Sequence, residues 1–161
     1  MISRLGVVLK KDFGDVYSAP RDIQLLALLV FLVAVHSMIL GIFIFFFTEL
    51  FYRFFFHAQM ENLFFVRQSG LFLFSVGVFN LCPLFDLKGR HRLVIVIILI
   101  KILAVLFLVT HSSYAAWPPI ILLAAAGDGI MALLLLIFYR NAWTSLEKSA
   151  AEAAITGGTY D

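Results

Sequence analysis

The chain has 161 residues, of which 63% are hydrophobic and only 14% are charged, and its net charge is +2. Its mean hydropathy of +1.02 excludes a water-soluble domain, because a core of this size cannot bury so much apolar surface, 18 Phe residues included. The composition therefore predicts an integral membrane protein. It also offers no surface on which a nucleic acid would bind.

Four long apolar runs follow one another along the chain, at about 23–47, 64–84, 93–110 and 118–139. Each approaches or exceeds the roughly 20 residues that an α-helix needs to cross about 30 Å of hydrocarbon. A backbone in lipid must satisfy its hydrogen bonds within its own segment, so each run predicts a transmembrane helix. The fold class that follows is all-α, an integral membrane four-helix bundle.

The remaining segments predict interfacial and cytoplasmic structure around these spans. Residues 1–22 mix apolar and basic side chains and predict an interfacial segment. The aromatic stretch 48–62 is interrupted by charges and predicts an interfacial helix or belt. Residues 145–161 predict a cytoplasmic tail whose first part extends the last helix. No repeat or linker divides the chain, so residues 1–161 predict a single transmembrane domain.

Basic residues lie mostly on one side of the predicted spans, which indicates the orientation. Nine of them belong to the N-terminal segment, the second loop and the C-terminal segment, whereas the opposite side has only Arg53 and Arg67. The nine are Arg4, Lys10, Lys11, Arg21, Lys88, Arg90, Arg92, Arg140 and Lys148. The excess of positive charge in cytoplasmic segments of membrane proteins predicts that both termini are cytoplasmic.

Lys101 and Asp128 are the charges nearest the middle of the apolar spans, where a charge costs several kcal/mol and is usually paired or functional. Helical rise places Lys101 about 13 Å from Arg92 and Asp128 about 18 Å from Arg140. A lysine side chain can cover the difference of roughly 5 Å. Because a short connection makes the third and fourth helices antiparallel neighbours, we expect an ion pair between them.

Three roles for such a pair remain open from the sequence. The pair can fix the register of the two helices, it can handle protons or ions, or its members can pair with groups on another subunit. Small residues at helical spacing around Asp128, which are Ala124, Ala125 and Ala132, permit close packing of the two helices.

His36 is the third titratable group predicted at mid-bilayer depth, about 20 Å along its helix from Ile23. Haem ligation by His36 and His111 is not expected, because their predicted depths differ by about 9 Å. We expect His36 to be a hydrogen-bonded core residue beside Ser37. The single cysteine, Cys82, excludes an intramolecular disulfide and is expected to be a packing residue.

Two further charges, Glu49 and Arg67, lie near the outer boundary of the first two spans and are placed to pair. Arg67 can serve in packing, or it can bind an anionic ligand such as a lipid headgroup or a polar substrate. Strips of small and polar residues indicate the faces on which these two helices pack. The strips are Ser37, Gly41 and Thr48 on the first helix, and Arg67, Gly70, Gly77 and Asn80 on the second.

Residues 66–139 resemble the small four-helix bacterial membrane proteins grouped as DoxX-like. The resemblance rests on Arg67-x-x-Gly70, Gly77, a polar turn from Asp86 to Arg92, Lys101 with Ala104, and Asp128-Gly-Ile-Met-Ala132. It implies a compact bundle in a bacterial inner membrane, in a group that includes small subunits of quinone-linked oxidoreductases. It carries over Arg67, Lys101 and Asp128 as inward-facing polar residues, and it supplies no catalytic motif.

Two kinds of function are compatible with this sequence. The first is a non-catalytic accessory or structural subunit of a larger membrane complex, in contact with lipids and with other membrane subunits. The second is a binder or carrier of a lipophilic molecule, a quinone or a lipid, with the mid-membrane polar groups lining a cavity. No serine-protease, Walker or metalloprotease motif is present. We therefore expect no enzymatic activity and no haem or metal cofactor.

The predicted topology can be tested with reporter fusions. A fusion after Asp161 should report a cytoplasmic location, and a fusion within residues 112–116 should report the opposite side, because the basic residues favour that arrangement. A C-terminal fusion on the outer side would show that the number of spans is wrong.

Overall fold

A computed structural model of the chain describes residues 20–56, 62–87, 89–114 and 119–156. All regular structure in these ranges is helical: α1 (Arg21–Phe46), α2 (Thr48–Phe56), α3 (Phe64–Phe79), a 3-10 turn (Cys82–Phe85), α4 (His91–Tyr114) and α5 (Pro119–Thr156). The predictions for residues 1–19 and 157–161, and for the end of the aromatic stretch at 57–61, lie outside the described residues.

Four stretches are long and apolar enough to cross a membrane by length and composition, and they agree closely with the four predicted spans. They are Arg21–Phe46, Phe64–Phe85, His91–His111 and Ile121–Lys148. The all-α class is thereby confirmed, and the four long apolar helices are compatible with a membrane bundle. The largest difference is at the last span, which runs over Ile121–Lys148 and not over 118–139. Its helix, α5, continues to Thr156, as expected from the predicted extension of the last helix into the tail. The side of the membrane on which the termini lie stays a prediction.

Helices α1 and α3 pack antiparallel, with their backbones in direct contact at three glycines. A Cβ atom on Gly41 would lie 2.5 Å from the backbone nitrogen of Phe74 and 2.7 Å from the carbonyl oxygen of Gly70. A Cβ atom on Gly77 would lie 2.9 Å from the carbonyl oxygen of Ala34. Because backbone atoms cannot move aside, only glycine fits at these positions.

The strips of small and polar residues predicted on these two helices are buried, with one exception. Ser37, Gly41 and Thr48 on α1 and at the start of α2, and Gly70, Gly77 and Asn80 on and after α3, are all buried. Arg67, in contrast, is exposed. The prediction that it shares the buried inward face was wrong: Arg67 lies in the first turns of α3, at the end of the span, where a long charged side chain can reach polar surroundings.

The main apolar core lies at one end of the molecule. Helix α1 contacts both α3 and α5, and α5 contacts α4, whereas α3 and α4 make few contacts with each other. The four long helices therefore form a row in the order α3, α1, α5, α4. The core joins the first half of α1 to the turn before α4, the first part of α4 and the second half of α5. Its buried members are Ile23, Leu26, Ala27, Val30, Val33, Leu84, Leu87, Val94, Ile97, Ile98, Leu135 and Ala142.

Polar and aromatic contacts at the same end join the start of α1 and the start of α4 to the last part of α5. The Ser145 hydroxyl donates a hydrogen bond of 2.6 Å to Asp22 Oδ2. The rings of His91 and Trp143 lie 4.5 Å apart between centroids. Helix α5 is therefore antiparallel to both α1 and α4, and these contacts hold the three helices together at this end of the molecule.

The glycine contact predicts an unusual sensitivity to a single methyl group. Gly41→Ala should separate α1 from α3 and destabilise the protein by roughly 1–3 kcal/mol, the usual cost of overpacking. Gly127→Ala is the matched control, because a Cβ atom there would meet nothing within 4 Å. It should be neutral or stabilising, since Ala favours a helix over Gly by about 1 kcal/mol. Unfolding in an SDS titration measures both changes, and equal effects would contradict the close contact.

Candidate functional site

The predicted ion pair between the third and fourth spans is present in the structure. Lys101 Nζ donates a hydrogen bond of 2.6 Å to Asp128 Oδ1. The exposed fractions of the two side chains are 7% and 18%. Both charged groups are thus mostly shielded by the protein, and they neutralise each other. The pairing greatly lowers the free-energy cost of placing them in the apolar part of the membrane.

The pair lies where the packed end of the molecule gives way to a more open end. Between His91 and His111 of α4, Lys101 is the last buried residue, one helical turn beyond the core residues Ile97 and Ile98. No residue from 102 to 111 of α4 is buried. The ammonium group therefore sits at the boundary between the apolar core and a helix segment that the rest of the chain leaves largely uncovered.

Small residues around Asp128 face in two directions. Ala125 and Ala132 are buried, which confirms the predicted close packing on that side. Ala124 is exposed instead, so its predicted place in the packed strip was wrong. At Gly127 an added Cβ atom would meet nothing within 4 Å. Helix α5 therefore presents a small-residue surface outward at the level of the ion pair.

The pair retains hydrogen-bonding capacity beyond the contact that joins it. A lysine ammonium has three donors and a carboxylate has two acceptor oxygens. Within the described part of the chain, the side chains of Lys101 and Asp128 make a single hydrogen bond, which is the one to each other. Two ammonium protons and the second carboxylate oxygen can therefore bind water or a polar group of a ligand.

An open apolar groove runs between α4 and α5 beside the pair. Its lining is almost entirely aliphatic: Ile98, Ile102, Val105, Leu106, Gly129, Ala132, Leu133 and Leu136. Gly129 lies across from Val105, whose Cγ2 would be 3.8 Å from an added Cβ atom. The groove has the chemistry of an acyl or isoprenoid chain, and it reaches the helix turns that carry Lys101 and Asp128.

The other predicted site residues do not join this pair. His36 is exposed on α1, so the prediction of a core histidine was wrong. Because nearly every residue around it on α1 is apolar, the sequence alone does not indicate which face of the helix turns inward. Glu49 and Arg67 do not form an ion pair with each other, although both line one cavity at the far end of the molecule. Among the described residues, no group of three or more His, Cys, Asp and Glu side chains is placed to hold a metal ion.

Sequence reasoning missed a third charge, Arg53, which lines the same cavity as Glu49 and Arg67. The signal was available: Glu49 and Arg53 are four residues apart, a spacing that places both on one face of a helix. That spacing does not indicate that α3 packs against α1, and it is this packing that brings Arg67 to the same cavity as Glu49 and Arg53.

Comparison with known proteins returns no match to any protein-family model, curated protein or solved structure. The resemblance to DoxX-like proteins therefore stays a prediction, and the residues of the chain carry the functional argument.

A double-mutant cycle tests whether Lys101 and Asp128 act as one unit. Lys101→Met and Asp128→Leu should each destabilise the protein by roughly 3–5 kcal/mol, because either change leaves an unpaired group in a low dielectric. The double variant should cost less than the sum of the two. Lys148→Met, which removes an exposed lysine, is the control and should have little effect. Additive losses in SDS unfolding would contradict an energetic link between the pair.

Proposed function

We propose that this protein is a non-catalytic integral membrane subunit that acts by associating with other membrane proteins. The location we propose is a bacterial inner membrane, with both termini in the cytoplasm, which is where the basic residues and the DoxX-like resemblance point. Its partner is a larger membrane complex to which it adds a packing surface.

The observation that carries this proposal is the uncovered surface at the open end of α4 and α5. Lipid alone can cover large aliphatic side chains, so their exposure is not an argument for a partner. Ala124 and Gly127 are different, because small residues on an outward face allow another helix backbone to approach closely. Ala124 is exposed and Gly127 faces open space, and both lie at the level of the ion pair, next to the segment 102–111 of α4, in which no residue is buried.

Outward-facing aromatic residues add to this support. Large aromatic side chains contribute strongly to packed interfaces. Phe45, Phe46, Phe72, Phe79 and Phe107 are among the exposed side chains of the long helices. Lys101 and Asp128, whose charges neutralise each other, hold α4 to α5 and thereby shape the surface that a partner would meet.

Copurification with two matched variants tests the association. Tagged full-length protein, extracted gently from its native membrane, should migrate as a larger complex on a native gel. Gly127→Leu should remove the partner, because a bulky side chain blocks the close approach at α5. Ala126→Leu makes a similar change at the neighbouring exposed position and should retain the partner. Loss of the complex with neither variant, or with both, would argue against an interface at Gly127.

Turnover by the isolated protein would overturn the proposal as a whole. If the purified chain converted a substrate, and Asp128→Asn abolished that activity, the ion pair would be part of a catalytic site and the non-catalytic role would fail.

The second candidate function is the binding of a quinone or a lipid, and the groove between α4 and α5 favours it. An isoprenoid or acyl chain suits the aliphatic lining, and a polar head would reach the unused hydrogen-bonding capacity of Lys101 and Asp128. Solvent extraction of the purified protein should then release such a molecule. Ile102→Trp, in the groove, should reduce its amount, whereas Leu103→Trp, exposed outside the groove, should not.

A further inference from the structure

An open cavity at the end of the molecule opposite the main core contains three charged side chains. It lies where α1 gives way to α2 and where α3 begins, and its volume of about 360 Å³ is within the roughly 300–1,000 Å³ range of small-molecule sites. Its lining is mixed: Phe46, Phe47, Thr48, Glu49, Leu50, Arg53 and Arg67.

Local structure explains why α2 turns its charged face toward this cavity. Phe47 interrupts the helix between α1 and α2, while its backbone N–H still bonds to the carbonyl of Phe43 at 2.9 Å. The Thr48 hydroxyl donates to the carbonyl oxygens of Ile44 at 2.7 Å and Phe45 at 3.0 Å. Its hydrogen bond is thus used within the chain. Glu49 and Arg53 follow on one face of α2, and both line the cavity.

Two arginines from different helices line this cavity, and no described carboxylate forms an ion pair with either of them. Arg53 belongs to α2 and Arg67 to the first turns of α3. Within the described residues, neither forms an ion pair with Glu49, and all three side chains are exposed. Two guanidinium groups at one cavity attract a phosphate, which arginine binds with paired, charge-assisted hydrogen bonds. The carboxylate of Glu49 lines the same cavity and can accept charge-assisted hydrogen bonds from an ammonium group of such a ligand.

The position of the cavity indicates the source of that phosphate. The end of α1 and the start of α3 are also ends of two candidate spans, which is where the headgroups of a bilayer would lie. Phe46, Phe47 and Leu50 give the cavity an apolar side next to its charged side. An amphiphile matches such a lining, with its acyl chains against the aromatic rings and its headgroup against the charges.

We propose that this cavity binds a phospholipid with a primary amine in its headgroup, phosphatidylethanolamine. Arg53 and Arg67 bind the phosphate, and Glu49 accepts hydrogen bonds from the ammonium group. The site is separate from the surface of α4 and α5 proposed above for association, so that either proposal can fail alone.

Native mass spectrometry of the full-length protein in detergent, titrated with dioleoyl-phosphatidylethanolamine, tests the site. Arg53→Gln and Arg67→Gln should each weaken binding about fivefold, the loss expected for one basic residue at a membrane surface. Arg92→Gln is the matched control, because Arg92 is exposed on the first turn of α4 at the opposite end. It should bind like the original protein. Equal binding by all three variants, or equal loss in all three, would overturn the proposal.

Headgroup selectivity tests the role of Glu49 independently of the arginines. Phosphatidylethanolamine should bind more tightly than phosphatidylcholine, whose quaternary ammonium cannot donate a hydrogen bond, and Glu49→Gln should abolish that preference. Tighter binding of phosphatidylglycerol than of phosphatidylethanolamine would overturn the assignment of the amine. Displacement of the lipid by soluble phosphoethanolamine at an equal concentration would overturn a membrane lipid as the ligand. Because all three altered side chains are exposed, unchanged unfolding in SDS should accompany each result.

Discussion

A lysine ammonium and an aspartate carboxylate are each too costly to leave alone and charged in hydrocarbon, and here they meet at 2.6 Å between α4 and α5. Lipid solvates leucine as well as a protein core does, so apolar surface supplies little force to bring helices together within a membrane. The ion pair supplies an attraction between the two helices that their apolar faces do not provide in lipid. It holds α4 against α5 at the level where the main core ends, and it thereby decides which surfaces of these helices remain uncovered.

The other helix pair meets the same constraint by a different means. Between α1 and α3 the backbones touch at Gly41, Gly70 and Gly77, so the attraction comes from close van der Waals contact over a small area. The main core joins the two pairs near the start of α1 and the end of α5. Away from that end, glycine contacts hold α1 to α3, and the Lys101–Asp128 ion pair holds α4 to α5. The result is a row of four helices with broad outward faces, an arrangement suited to a protein that works through contact with lipids and neighbours.

Depth and spacing along the sequence were sufficient to predict the spans, the small-residue strips of the first two helices and the Lys101–Asp128 pair. Those predictions depend on distances along a helix axis, which helical rise determines. The rotation of each helix was harder, because nearly all sides of these helices are apolar and lipid accepts any of them. His36 was therefore assigned to the core, although it is exposed, and Ala124 to a packed strip that it does not join. The shared cavity of Arg53 and Arg67 was not predicted, because the spacing of Glu49 and Arg53 indicates one face of a helix but not which neighbouring helix packs beside it.

The ion pair links this architecture to both candidate functions, since it shapes the outward surface of α5 and borders the groove beside α4. Both roles require that Lys101 and Asp128 are charged and in contact while the protein is in a bilayer. Solid-state NMR of protein labelled with ¹⁵N at lysine and ¹³C at aspartate, reconstituted in lipid, measures this directly. The account predicts an ammonium-type ¹⁵N signal for Lys101 with a strong dipolar coupling to the carboxylate carbon of Asp128. A neutral amine signal, or an ammonium without that coupling, would contradict it.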